Sequence, residues 1–380
     1  MSLTRRDFCL YTAAALPWLA AIKSRAIAQA LESTGLKDLY KNDFRIGTAI
    51  SNRTLQQQDA AMLDLIAREF NAISPENCLK WGQVHPETDR WEWELPDRYV
   101  QFGLDHKMFI LGHTLVWHSQ TGSRMFQDAS GATLSRDALL KSMENHIRTL
   151  VGRYQGKVTA WDVVNEAIDE DKGWRKSPWF NIIGPDFMEK AFHYAHEVDG
   201  KAQLLYNDYN MHNPKKVEFV AAFVRDFKKR GVPINGVGLQ CHEGMDYSKI
   251  EELEAAILAL ASAGVRIHIT ELDVDILPRR EQTTTADVSN RQAYTDALNP
   301  WKQGLPEEME KQLAKRYEEL FRLFLKHRDK IDRVTTWGTS DDESWKNDFP
   351  IPGRTNYPLL FDRKKQRKLA WQAVAALKNP

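Results

Sequence analysis

The chain predicts a single-domain α/β fold, a (β/α)8 TIM barrel, and three observations carry that expectation. Short apolar segments alternate with longer segments of helical period, the pattern of a parallel sheet covered by helices. Eight such strands can be counted along the 380 residues, each followed by a helical stretch. Two of the strands run into a glutamate at their carboxyl ends, the end at which barrels of this kind build their sites.

The strands are expected at residues 44–49, 70–74, 107–111, 158–164, 203–207, 236–240, 266–270 and 333–337. Helical pattern fills 57–68, 135–154, 187–198, 214–230, 249–263 and 306–327, and 365–377 closes the chain. Leu253, Ile257 and Leu260 recur at helix spacing, as do Leu313, Tyr317, Leu320 and Phe324, and both sets are expected to face the core. No internal repeat and no linker rich in Pro or Ser divides the chain. Residues 277–305, with Thr283-Thr284-Thr285 and Asn299-Pro300, read as a long loop after the seventh strand, either a contributor to binding or a surface insertion.

Hydrophobic residues at 42% and charged residues at 27% are ordinary for a soluble protein with an ample core. Lys plus Arg and Asp plus Glu both number 52, so no excess of positive charge invites nucleic acid. At the N-terminus, Thr4-Arg5-Arg6-Asp7-Phe8 precedes an apolar run, 10–22, too short to span a bilayer, and Ala26-Ile27-Ala28 supplies an A-x-A cleavage pattern. Residues 1–28 resemble a bacterial twin-arginine export signal, with a helix docked on the body as the alternative. Its removal takes away Arg5, Arg6, Lys23, Arg25 and Asp7, moving the formal charge from 0 to −3. A periplasmic or secreted protein without a membrane span is expected.

Of the three cysteines, Cys9 falls in that signal. Cys78 and Cys241 lack C-x-x-C spacing and make no zinc site; two buried thiols are preferred over one bridge.

The chemistry centres on residues 159–170, TAWDVVNEAIDE. Read as a strand, Ala160, Asp162 and Val164 share one face and Trp161, Val163 and Asn165 the other. Glu166 falls where the strand ends. Residues 266–275, RIHITELDVD, repeat the arrangement, with Ile267 and Ile269 leading to Glu271 and Asp273. A carboxylate closing an apolar strand must be paired or hydrated, which suits an acid on display better than a core.

The remaining strand ends add Glu76-Asn77 and Lys80-Trp81, His113 with Trp117-His118, Asn207-Asp208-Tyr209-Asn210, Gln240, His242 and Trp337. Amides, histidines, carboxylates and tryptophans suit a sugar, whose hydroxyls take planar polar partners and whose C–H faces take flat rings. Glu76, Asn77 and Lys80 can serve the hydroxyls, and Trp81, Trp337 and Trp345 the rings. Trp161, inside a strand, is expected in the core.

The motifs ENCLKW, GHTLVWH, WDVVNEA, NDYN, QCH, ITELDV and TTWG, in this order across nearly the whole chain, resemble the glycoside hydrolase family 10 endo-β-1,4-xylanases. The resemblance implies cleavage of β-1,4-xylan or xylo-oligosaccharides by a retaining double displacement, Glu166 as acid/base and Glu271 as nucleophile, with carboxyl groups about 5–5.5 Å apart. It implies further that Asn165 bonds the 2-hydroxyl of the reacting sugar and that His242, backed by Asp273, orients Glu271. Gln240 and Tyr209 become near neighbours of the reaction. Glu76, Asn77, Lys80 and His113 become binders of sugar hydroxyls, Trp117 a buttress of the floor, and Trp337 and Trp345 the walls of the reaction subsite. His118 and Asp208 are expected only as supports. No cofactor or metal is implied, and a monomer is expected. Leu79 departs from the methionine frequent in the family, a volume-conserving change, and the 283–305 loop leaves the subsite count open.

Three alternatives stand beside this reading. A β-1,4-glucanase of the same mechanism differs by one hydroxymethyl per sugar, which Trp345 or Lys80 would have to exclude. A sugar-binding barrel without catalysis would keep the recognition residues alone. A metal-dependent barrel hydrolase would need His113, His118, His242, Asp208 and Asp273 to converge, yet no H-x-H or H-E-x-x-H motif is present.

Overall fold

The computed structural model describes residues 34–171, 173–278 and 293–378. The export signal expected at 1–28 and the Thr283-Thr284-Thr285 run of the long loop lie outside them.

Eight parallel strands form the centre: β1 (Arg45–Ile50), β2 (Ala72–Pro75), β3 (Phe109–Trp117), β4 (Ala160–Asn165), β5 (Gln203–Asp208), β6 (Gly236–Leu239), β7 (Arg266–Asp275) and β8 (Ile331–Thr336). They hydrogen-bond in chain order, and β8 pairs with both β7 and β1, so the sheet closes into a barrel. Almost every strand residue is buried, as a parallel sheet covered on both faces requires. Each strand lies within a few residues of its expected place, while β3 and β7 run further, to Trp117 and Asp275.

The helices bury the stripes the spacing predicts: Leu253, Ile257 and Leu260 in Ile250–Ser262, and Leu313, Tyr317, Leu320 and Phe324 in Glu307–Lys326. The single helix expected at 57–68 is two, Asn52–Gln57 and Ala60–Glu69. Gln58 turns left-handed (φ 49°) between them, and Asp59 caps the second through the Met62 amide. Helix Glu94–Asp105 was not anticipated, because Pro96 and Gly103 obscure its pattern; Pro96 sits in the first turn, where its missing N–H costs nothing. The described flank of the long loop packs on the segment after β8: Thr355 donates to Asn299 Oδ1 at 3.0 Å and the Tyr357 hydroxyl to the Trp301 carbonyl at 2.5 Å.

Strict alternation fails at the end of the barrel that carries the acids. Pairing slips between Asp162 and Val164 in β4 and between Ile269 and Leu272 in β7. Asp162 bonds His113 and Asn165 bonds Asn207, so both point to the barrel interior. The sequence reading had set these two on opposite faces, and the slip corrects it. In β7, His268 and Thr270 face inward, bonding Arg333 and Asn207, whereas beyond the slip Glu271 and Asp273 do so. Such bulges re-aim side chains beside active sites. Gly238 makes room for the result, since a Cβ there would stand 2.2 Å from Asn207 Oδ1.

Candidate active site

The carboxyl ends of the strands surround a cavity of about 320 Å³, near the lower end of the range of about 300–1,000 Å³ usual for ligand pockets. Glu166 and Glu271 both line it, with Glu76, Asn77, Lys80, His113, Trp117, Asn165, Gln240, His242, Trp337 and Trp345. Twelve of the residues singled out from the sequence therefore converge on one space, while Asp273 and Tyr209 are not among its lining. A larger hollow of about 830 Å³ lies between residues 55–63, 97–105 and 153–157. Its Asp97 is paired with Arg153 at 2.5 Å and neither Asp97 nor Asp105 is buried, so chemistry rather than size identifies the site.

Glu166 is 5% exposed and holds a left-handed backbone, φ 57°. Its Oε1 accepts from Gln240 Nε2 at 2.9 Å and Asn165 Nδ2 at 3.3 Å, and its Oε2 from the Trp117 indole at 2.8 Å. Burial pushes its carboxyl above the usual carboxylate range. The Gln240 and Trp117 hydrogen bonds oppose that rise and the neighbouring Glu271 charge adds to it.

Glu271, equally buried, accepts from Asn207 Nδ2 at 2.7 Å on Oε1 and meets His242 Nε2 at 3.1 Å on Oε2. Burial alone would raise it too, but the His242 hydrogen bond, the charges of His113 and His242 and the Asn207 amide together hold it below the usual range. His242 Nδ1 lies 3.0 Å from Asp273 Oδ2, and burial, which disfavours its charge, is outweighed by Asp273 and Glu271, so the imidazole is raised. Asp273 in turn accepts the Trp345 indole at 2.7 Å. Burial there is overcome by Lys346, His242 and Trp345, and the carboxyl is held low.

Asn207 joins the two acids. Its amide nitrogen donates to Asn165 Oδ1 at 3.0 Å as well as to Glu271, and Asn165 donates to Glu166. At the other side of the cavity Lys80 Nζ donates to Asn77 Oδ1 at 3.0 Å and lies 5.0 Å over the Trp117 ring. Burial lowers Lys80 against the pull of Glu76, Glu271 and Glu166, and burial raises Glu76 against Lys80. Trp345 packs 4.8 Å from the His242 ring and stacks on Phe349 at 4.6 Å, 9° from parallel.

The structure also places the remaining residues of the sequence reading. Trp81 is no sugar platform: it is buried against His146, 3.6 Å between rings, because its neighbour Lys80 takes the inward direction. Tyr209 lies behind Glu166, its hydroxyl accepting from Arg175 at 2.5 Å. Asp208 is buried against Lys216 at 2.7 Å and accepts the Tyr206 hydroxyl, a support as expected. His118 does not line the cavity. Cys78 and Cys241 are buried free thiols.

Sequence reasoning placed Asn207 at a strand end without giving it a role, and it missed Gln120, Asp348 and Phe349, which line the cavity from loops without periodic signal. Among the described residues no group of three or more His, Cys, Asp or Glu is arranged to hold a metal ion, and no helix is long and apolar enough to cross a membrane.

The sequence profile described as Glycosyl hydrolase family 10 matches residues 35–377. Endo-1,4-beta-xylanase A of Xylanibacter ruminicola is 41% identical over 333 residues, covering 88% of this chain and 90% of that protein. Endo-1,4-beta-xylanase of Geobacillus stearothermophilus is 41% identical over 342 residues, covering 89% and 97%. Among solved structures, a GH10 endoxylanase retrieved from a sugarcane soil metagenome superposes with a TM-score of 0.89 at 56% identity, covering 90% of this chain and all of that one. Xylanase XynB from Paenibacillus barcinonensis does so at 0.80 and 37%, covering 90% and 98%.

Proposed function

The chain belongs to glycosyl hydrolase family 10 and is a glycoside hydrolase of the endo-1,4-β-xylanase type, and on that premise we propose that it cleaves xylan by a retaining double displacement, with Glu166 as acid/base and Glu271 as nucleophile. The observation that carries this reading is the split between two buried carboxyls in one cavity, one held up and one held down. Environments that push paired acids apart assign their roles.

In the first step Glu166, protonated, gives its proton to the glycosidic oxygen as the bond to the anomeric carbon breaks, and ionised Glu271 closes on that carbon to form an ester. Ester formation removes the Glu271 charge that raises Glu166. The Glu166 proton affinity falls, and the same carboxylate then takes a proton from the incoming water. Asn165, at hydrogen-bond distance from Glu166 and Asn207, would hold the 2-hydroxyl, a contact that strengthens as the ring flattens. Glu76, Asn77, Lys80 and His113 would bind the sugar on the non-reducing side.

The glucan alternative loses ground because the named relatives are xylanases. A non-catalytic barrel is disfavoured by the presence of both carboxylates and their donors. Following the product anomer by NMR tests the mechanism: initial β-product is expected, and initial α-product overturns it.

Export through a twin-arginine route is a separate proposal, resting on residues 4–28 of the sequence. Fractionation of expressing cells tests it, with periplasmic or secreted activity expected and its retention after Arg5→Lys with Arg6→Lys contradicting it. A monomer is proposed as well, with a single species near the chain mass in sedimentation as the expected result.

A further inference from the structure

The left-handed backbone of Glu166 requires support, since a residue with a Cβ is disfavoured in that region. The support comes from two sides. The Glu166 amide donates to the Asn207 carbonyl at 2.9 Å, and the Glu166 carbonyl accepts Arg175 Nε at 2.9 Å.

Arg175 is delivered to that carbonyl by a small hairpin, Ile168–Asp169 paired antiparallel with Gly173–Trp174. Its own amide donates to the Ala167 carbonyl at 2.9 Å, while the Ala167 amide donates to the Tyr206 hydroxyl at 3.2 Å. Its Nη2 donates to the Tyr209 hydroxyl, and its guanidinium lies 5.8 Å from the centre of that ring. Below these, Asp208 is buried between Lys216 and Tyr206. Arg175 therefore grips one of the two peptides that orient the Glu166 side chain, and Tyr209 fixes the grip from behind.

We propose that Arg175 is a positioning residue for proton transfer, holding the Glu166 peptide so that the carboxyl meets the leaving oxygen and keeping that acid within reach of its second role as base. The inference rests on Glu166 being the acid/base. It gives the strand pair a function: Ile168–Asp169 and Gly173–Trp174 return a residue beyond β4 to brace it.

Four charged groups bear on the Glu166 carboxyl from the elements around it. Glu271 from β7 and Asp208 from β5 favour the protonated form, whereas Arg175 from the hairpin and Lys80 beyond β2 favour the ionised one. Removal of Arg175 thus has two separable consequences. The carboxyl loses its aim, and it holds its proton to higher pH.

The test compares Arg175→Met and Arg175→Lys on two substrates, xylan and a dinitrophenyl xylobioside whose leaving group departs without a proton. The readout is kcat/KM, which reports the first step. Arg175→Met is expected to lose about 10²-fold on xylan, the lower range of what positioned acid catalysis supplies, to change little on the aryl substrate, and to shift the basic limb on xylan to higher pH. Arg175→Lys keeps the charge but not the planar grip, so it is expected to show the substrate-dependent loss with its basic limb in place. Equal losses on both substrates, or no loss on either, in Arg175→Lys overturn the proposal, and that variant decides alone if Arg175→Met does not fold. Glu166→Ala is measured in parallel. If it retains turnover of xylan, the acid/base assignment has failed; if it shows the leaving-group dependence and the Arg175 variants do not, only the role of Arg175 has failed.

Discussion

His242 Nε2 stands 3.1 Å from the Oε2 of Glu271, with Asp273 facing the opposite ring nitrogen at 3.0 Å. The two carboxylates favour the protonated imidazole against the burial that disfavours it, and its positive charge counters the cost of burying Glu271 as an anion. The Trp345 indole, bonded to Asp273 at 2.7 Å, ties a ring that lines the cavity to the same relay.

His242→Ala removes that cation and one hydrogen bond. Burial then dominates Glu271, whose carboxyl rises. A nucleophile must be ionised, so a raised carboxyl needs higher pH to act, and the acidic limb of kcat/KM is expected to move upward. A loss of about 10²-fold near neutral pH should accompany it, as for removal of one preorganised donor. A pH–rate profile checks this, and an unmoved acidic limb refutes it.

Trp117→Phe keeps the ring and deletes the indole N–H that bonds Glu166 at 2.8 Å. That donor favours the ionised acid, so its loss raises the carboxyl and carries the basic limb to higher pH. Activity at the optimum should change less than about tenfold, since one hydrogen bond contributes a net of about 1 kcal/mol. A basic limb shifted to lower pH would reverse the sign of the argument.

Phe349→Ala takes away the ring stacked on Trp345. Trp345 gains freedom to move aside, and the space an exocyclic hydroxymethyl would need opens. Discrimination against that group is worth about 1–3 kcal/mol, so turnover of soluble cello-oligosaccharides relative to xylan should rise by about tenfold or more. An unchanged ratio assigns the exclusion elsewhere.

Glu69 is fully buried and gathers the Leu36 amide at 3.2 Å, the Trp371 indole at 3.1 Å and Arg367 at 2.7 Å. It fastens the helices Leu36–Leu39 and Leu369–Ala376 to the barrel. Glu69→Ala leaves those donors without their acceptor and should cost about 3–5 kcal/mol, a fall in Tm on the order of 10 °C. Calorimetry measures it, while kcat of the folded fraction should stay the same.

The barrel was legible because each strand is a continuous apolar run and each long helix a clear stripe. The acids were legible because a carboxylate has no business closing such a run unless it is used. The faces were not: Asp162 and Asn165 share the interior only because pairing slips between them, and no single-chain period foretells a slip between neighbours. Trp81 was misread for a related reason, since adjacent Lys80 and Trp81 look equally placed in sequence and a helical turn sends one inward and the other to the core. Phe349 comes from a loop and Arg175 follows a two-residue strand pair, where hydrophobic periodicity is silent.

The central claim is covalent capture by Glu271. Mass spectrometry of the protein quenched while turning over an aryl xylobioside, using Glu166→Ala to slow breakdown of the ester, tests it most directly. A mass increase of one xylobiosyl unit, mapped to the peptide that carries Glu271, is the predicted result. Turnover by that variant with no adduct at any time, or an adduct on another residue, would contradict it.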